Sequence, residues 1–338
     1  MPTRIGAEPK PPWQRVPGPV RDHVAERLGA PVRRALRVWG GYAPSPTFRL
    51  FLADGRRVFF KAVEPASNAF MHRALKTEER AYRELGVWLQ PWAPAFLGSI
   101  QAADWHVLLL EDVGPASFPP WTLATVRDVM AAYAGFHRAS LGAALPDWLP
   151  RTVHEHFGQT WTRLEAQPGG IEAVANLAGL DRDTARSWLE SSLPRLKATA
   201  ERLAAAAPPH ALLHMDTRSD NLRLQPGGRL RIFDWPFVCV GPPSFDVVAF
   251  AQSITCEGGP LPEVGMEAYC AHLALDEDEV DAGMAAIAGY FALQAPQPPL
   301  PGLPRVRAIQ RCQLRSSLSW CARRLGLPSP DWLERLDD

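Results

Sequence analysis

One stretch, Leu213–Trp235, constrains this chain more than any other; it reads LHMDTRSDNLRLQPGGRLRIFDW. Asp216 follows His214 by two positions, Asn221 follows Asp216 by five, and Asp234-Trp235 close the stretch. Leu222 and Leu224 alternate with Arg223, Leu230 and Ile232 alternate with Arg231, and Pro226-Gly227-Gly228 supply a turn. That spacing predicts a β-hairpin. One register sets Leu222 against Ile232 and Arg223 against Arg231, a like-charge pair of small cost. A one-residue slip removes that pair but puts apolar residues opposite arginines. In either register Asn221 and Asp234 finish within about a residue of each other, and opposed strand residues lie roughly 5 Å apart. Asp216, in the loop entering the same end, joins them.

Clustered carboxylates repel, so they persist where a hard cation binds or where one of them acts as a base. Mg²⁺ uses one or two carboxylates and completes its shell with water and phosphate oxygens. Asn221 and Asp234 suit such an ion, which leaves Asp216 to orient an attacking hydroxyl. A His-x-Asp triplet by itself carries little information. The spacing to Asn221, the hairpin and the terminal Asp-Trp carry the reading.

This stretch resembles the catalytic core of the aminoglycoside phosphotransferase and choline kinase group, relatives of the protein kinases. Their catalytic loop runs His-x-Asp-x-x-x-x-Asn, and a later strand ends in a metal-binding Asp. The resemblance implies Asp216 as catalytic base, Asn221 and Asp234 as Mg²⁺ ligands and His214 as a supporting residue. Arg218 would lie near the transferred phosphate, or else be a solvated loop arginine. Asp234-Trp235-Pro236 departs from the protein-kinase Asp-Phe-Gly. With no Ala-Pro-Glu after Asp234 and a short interval to Asp246, an activation loop has no room, which counts against a protein kinase. The implied fold is α+β and bilobal: a small β-rich lobe over 1–112 and a larger, mainly helical lobe over 113–338. The implied activity is ATP- and Mg²⁺-dependent transfer of the γ-phosphate to a hydroxyl of a small molecule, whether aminoglycoside-like, sugar or amino alcohol. A reading of a different class is a non-catalytic nucleotide-binding scaffold on the same fold.

The N-terminal third fits this frame. A strand from Arg34 to Trp39 leads into Gly40-Gly41-Tyr42-Ala43-Pro44-Ser45-Pro46, an imperfect match to a kinase glycine loop, with Ser45 or Thr47 able to offer a group to phosphate. Asp54-Gly55 between Thr47–Leu52 and 56–63 signals a two-residue hairpin turn. Counting outward from that turn sets Lys61 opposite Phe48. A lysine in VFFKAV is an edge residue or a placed cation, and by resemblance it is the ATP-phosphate lysine. Residues 67–85 form a helix whose face carries Leu75, Glu78, Tyr82 and Leu85. An acid on an apolar face needs a partner, and Lys61 is available to Glu78, with Glu79 as the alternative. A buried strand over 107–110 runs into Glu111 and a polar turn, and resembles the segment whose backbone meets adenine.

Farther on, residues 122–140 read as an amphipathic helix containing His137, a packed helix-end residue, and 151–206 as helical. Asp246, in GPPSFDVVAF, matches the family acid that braces the catalytic loop, but as an acid at a helix start it reads first as structural. The acidic run 276–281 reads as a helix start with a solvated face, and 294–304 as a connector or pocket-shaping loop. Thirty-six basic and thirty-six acidic residues balance, so charge argues for neither nucleic acid nor an anionic membrane as partner. Five cysteines without a CxxC pair read as reduced thiols, and the N-terminus has no apolar signal region, which together predict a cytoplasmic protein. No feature sets an oligomeric state.

Overall fold

A computed structural model describes residues 10–39 and 44–336. Its first half is built on an antiparallel five-stranded sheet: β1 (Val32–Arg37), β2 (Thr47–Leu52), β3 (Arg57–Val63), β4 (Phe96–Ala102) and β5 (Trp105–Glu111), in the order β1-β2-β3-β5-β4. One face packs on helix α1 (Gly18–Leu28). Val20, Val24 and Leu28 of that helix are buried with Phe48, Leu50, Phe60 and Val107. Strand alternation decides which face a residue joins, and Lys61 falls on the other one. Across that face lies α2 (Ala69–Glu84), started by Asn68, whose side chain accepts the Met71 N–H at 3.0 Å.

The β2–β3 register differs by one residue from the sequence expectation: Lys61 lies opposite Thr47, and Phe48 opposite Phe60. Asp54-Gly55 is not a two-residue turn. The loop is Ala53-Asp54-Gly55, with Leu52 N–H bonded to Arg56 O and Gly55 at φ 88°. A left-handed glycine closing a three-residue loop is the other common hairpin solution, and it shifts every pairing by one.

Beyond β5 the chain is mainly helical: α3 (Leu123–Ser140), α4 (Val153–Gly158), α5 (Arg182–Glu201), α6 (Pro243–Cys256), α7 (Pro262–Cys270), α8 (Glu277–Gln294) and α9 (Val306–Leu325). Two small antiparallel ribbons interrupt it. β6 (Ala211–Leu213) pairs with β9 (Cys239–Gly241), and β7 (Leu222–Gln225) with β8 (Arg229–Ile232). The fold is α+β with a sheet-built N-terminal lobe and a helical C-terminal lobe. Ile232 N–H donates to Trp92 O at 2.8 Å and ties the second ribbon to the segment after α2.

Cys256 on α6 and Cys312 on α9 are joined in a disulfide, with Cα atoms 5.6 Å apart. This corrects the expectation of reduced thiols throughout. A pair 56 positions apart meets only because α6 and α9 pack together. Cys239, Cys270 and Cys321 are free. Among the described residues no helix is long and apolar enough to cross a membrane.

Candidate active site

The β7–β8 hairpin adopts the register with Leu222 opposite Ile232 and Arg223 opposite Arg231. The like charges are drawn apart by other partners. Arg231 reaches Ala93 O at 3.0 Å and Glu111 Oε2 at 3.4 Å, while Arg223 lies over the Phe233 ring. Just past β8, Asp234 sits at φ 70°, and Met215 beside Asp216 at φ 63°. Non-glycine residues in this region cost of order 1–3 kcal/mol and cluster at functional sites. Met215 precedes Asp216 and Asp234 ends the hairpin, so both strained positions lie in the segments that carry the candidate site.

Lys61 joins the two lobes there. Its Nζ lies 2.6 Å from Glu78 Oε2 and 2.6 Å from Asp234 Oδ1. Glu78 is 1% exposed, so its charge survives only beside a cation. Burial opposes the lysine's charge, but Asp234 and Glu78 outweigh it and hold the ammonium's pKa above its ordinary value. Burial pushes Glu78 up, to about 7, with Asp234 adding and Lys61 opposing. Asp234 is lowered: burial pushes it up, and Lys61 overrides that. Asp234 is therefore the firmer anion of the two. Glu79 faces elsewhere, onto His106 Nε2 at 2.6 Å and Ser99 Oγ at 2.5 Å.

Asp216 and Asn221 share one loop. Asn221 Nδ2 donates to Asp216 O at 2.7 Å and to its Oδ2 at 3.1 Å. Because the amide nitrogen is committed, the amide oxygen is the end that can meet a cation. Arg218 closes a fork on Asp216, Nε to Oδ1 at 3.0 Å and Nη2 to Oδ2 at 3.1 Å. It is not a solvated loop residue. Burial raises the Asp216 pKa, Arg218 opposes, and Asp234 and Asp220 add to the rise. His214 is fully buried; Nε2 meets Phe233 O at 3.1 Å and Nδ1 accepts the Asp216 N–H at 3.2 Å. Its ring stands edge-on to Trp235, centroids 4.6 Å apart. Burial keeps it neutral by lowering its pKa.

Asp246 exceeds the purely structural part first read for it. It accepts the backbone N–H of His214 at 2.7 Å and of Met215 at 2.9 Å, so it fixes the loop that carries Asp216. Tyr133 donates to it at 2.6 Å and also meets Thr217 Oγ1 at 2.6 Å. His137 adds a contact at 3.2 Å while binding Tyr269 OH at 2.6 Å. Sequence reading missed Tyr133, Thr217 and this use of His137. Tyr133 and His137 share one face of α3 at i, i+4 spacing, a signal that says core and does not name the polar partner.

Four residues expected at the nucleotide are placed less simply. Gly40 and Gly41 lie outside the described residues. Ser45 is buried, and its carbonyl accepts from Thr47 Oγ1 at 3.0 Å, while Lys10 also reaches that hydroxyl. Glu111 spends its N–H on Ala95 O and its carboxylate on Ala95 N–H and Arg231. It is an anchor for the sheet end.

Asn221 and Asp234 supply one amide oxygen and one carboxylate. That donor set is too small to hold a cation alone, and it fits Mg²⁺ arriving with phosphate oxygens and water. Residues 36–290 match the profile described as the phosphotransferase enzyme family, APH. The chain belongs to that family. Solved structures share the family fold at low identity. An aminoglycoside phosphotransferase from Alicyclobacillus acidocaldarius aligns with TM-score 0.55 and 14% identity over 90% of this chain and 93% of its own. Choline kinase LicA from Streptococcus pneumoniae aligns with TM-score 0.55 and 11% identity over 90% and 98%. Spectinomycin phosphotransferase APH(9)-Ia, in its AMP-bound complex, gives 0.55 and 11% over 94% and 96%. No curated protein matches the sequence.

Proposed function

We propose that this phosphotransferase-family chain moves the γ-phosphate of ATP to a hydroxyl of a small molecule, with Mg²⁺, in the cleft between its lobes. The observation that carries the reading is the ion-pair set Glu78–Lys61–Asp234, which gathers residues 173 positions apart at the mouth holding Asp216 and Asn221. Phosphoryl transfer requires positioning and charge neutralisation more than covalent chemistry, so few groups suffice. Lys61, held charged and oriented by Glu78, would bind phosphate oxygens of the nucleotide. Asn221 Oδ1 and Asp234 would hold Mg²⁺, which when bound neutralises phosphate charge.

Asp216 would take the proton of the acceptor hydroxyl as its oxygen bonds to the γ-phosphorus and the bond to the ADP oxygen breaks. Arg218 would keep that carboxylate aimed and charged before substrate enters. His214 and Asp246 would hold the loop from behind. The nucleotide-bound spectinomycin enzyme of the same fold supports a nucleotide in this cleft. The test is a screen of hydroxyl compounds for ATP-dependent phosphorylation by the purified protein. Mg²⁺-dependent product with at least one acceptor supports the reading. A protein that binds Mg·ATP and phosphorylates nothing favours the scaffold.

A further inference from the structure

Helix α6 runs along the catalytic loop and touches it at both ends. In its first turn Asp246 accepts the N–H groups of His214 and Met215. In its last turn Ser253 Oγ donates to Thr217 O at 3.3 Å. Just past that end, Glu257 Oε1 accepts the Ser219 N–H at 3.4 Å, while its Oε2 accepts Trp121 Nε1 at 2.8 Å. Ser219 stands next to Arg218, whose fork holds Asp216. The residue before Glu257 is Cys256, and its disulfide to Cys312 fixes this end of α6 on α9. Both of these cysteines are half-buried, whereas the free Cys239 and Cys321 are buried. A small thiol in solution therefore has access to the bond. Two neighbouring contacts between the helices do not depend on it. Ser316 Oγ donates to Gln252 O at 2.7 Å, and the Gln252 side-chain amide donates to that of Gln313. Both meet α6 one turn before Cys256, so cutting the disulfide frees the helix end without parting the helices.

We propose that Cys256–Cys312 is a thiol–disulfide exchange site at which a dithiol reductant lowers turnover, with Glu257 as the positioning residue that carries the change to the catalytic loop. A thiolate of the reductant attacks one of the two sulfurs, forms a mixed disulfide and releases the other cysteine as a thiolate. The second thiol of the reductant then displaces the first cysteine. The protein disulfide gains two electrons and two protons, and the reductant ends as its own disulfide. Cys256 O lies 3.1 Å from Cys312 Sγ, so the thiol formed there has an acceptor in place. With the covalent tie gone, Glu257 loses its fixed position beside Ser219, and the segment holding Arg218 against Asp216 loosens. The exchange stands apart from the phosphotransfer reading above; its effect on turnover rests on that reading.

The experiment compares the full chain after oxidised glutathione with the same chain after dithiothreitol, each reagent then removed. Thiols titrated in denaturant should rise from three to five, from three free cysteines and one disulfide. Five in both samples overturn the proposal. Amide hydrogen exchange is then followed across 214–221 in the two forms. Faster exchange at Ser219 after reduction supports the proposal, and equal exchange overturns it; this arm needs no variant and no acceptor. Initial rates of Mg·ATP turnover come last. Reduction lowers kcat by about 2–10-fold, the range for one net hydrogen bond, at unchanged KM for Mg·ATP. Cys312→Ser works at the reduced rate and ignores dithiothreitol, while Cys270→Ser keeps the wild-type response. In Glu257→Ala, checked for folding by its melting curve, the two redox forms turn over equally. A full response in Glu257→Ala overturns the route through that residue, and equal kcat in the two wild-type forms overturns the switch. If neither form turns over Mg·ATP, the phosphotransfer reading falls, and hydrogen exchange at Ser219 still decides the switch.

Discussion

Asp216 sits between opposing influences, and their balance has a measurable consequence. Burial and the neighbouring Asp234 and Asp220 lift its pKa above the ordinary 3.8, while Arg218 pulls it down. A base works only when deprotonated. Turnover is therefore present above the raised pKa and lost as pH falls through it, so the acid limb of kcat should lie above 3.8. A kcat profile flat to below that value would remove Asp216 as the titrating group. Glu78 and Glu79 illustrate how local this chemistry is. The two are adjacent, yet only Glu78 reaches Lys61 at 2.6 Å, while Glu79 binds His106 and Ser99 on the sheet. In the sequence, Glu78 shares the helix face of Leu75 and Tyr82, but Glu79 stays open as the partner and only the family spacing favours Glu78; packing makes the choice.

Among the elements, α2 carries Glu78 to Lys61, and its start depends on Asn68. Replacing Asn68 with Ala removes the acceptor for Met71 N–H, and should cost about 1 kcal/mol in denaturant unfolding. No change in midpoint would mean the cap contributes nothing. The catalytic loop depends on Asp246 in the same way. Its loss would leave the buried N–H groups of His214 and Met215 without an acceptor, at about 1–3 kcal/mol each. Burial pushes the Asp246 pKa up, but His137 and Tyr133 outweigh it and hold the pKa below 3.8. The stability this acid contributes is complete above 3.8 and is lost as pH falls through its lower folded value. Asp246→Asn should therefore flatten the acid end of the wild-type stability curve, and an unchanged slope would contradict this.

These elements also show what sequence could convey. The β7–β8 hairpin was legible because alternation and a Pro-Gly-Gly turn are local. The β2–β3 turn was legible as a turn but not in its length, since Asp-Gly serves two- and three-residue loops alike. The bracing of His214 by Asp246, the Tyr133–Thr217 bond and the Cys256–Cys312 disulfide join distant positions with no shared period. Only packing reveals them.

At the scale of the whole molecule, the lobes meet through the Lys61–Asp234 ion pair, the Ile232–Trp92 hydrogen bond and the Phe70–Phe237 contact at 6.1 Å. A ligand that bridges them stabilises the native state by mass action. Mg·ATP at a hundredfold excess over Kd would add about 2.7 kcal/mol. The melting temperature should rise accordingly, and Asp234→Ala should lose most of the rise. A wild-type protein whose melting is unmoved by millimolar Mg·ATP would contradict the nucleotide site.

The claim that the cleft is catalytic is tested most directly by turnover of Asp216→Asn beside wild type, with nucleotide affinity measured on the same samples. Asparagine keeps the shape and most hydrogen bonds of Asp216 but cannot take the proton. With an acceptor in hand, or with water as a slow one, the account predicts Mg²⁺-dependent ATP turnover in wild type that falls by about 10²–10⁴-fold in the variant at unchanged nucleotide affinity. Equal turnover by the two proteins would contradict it.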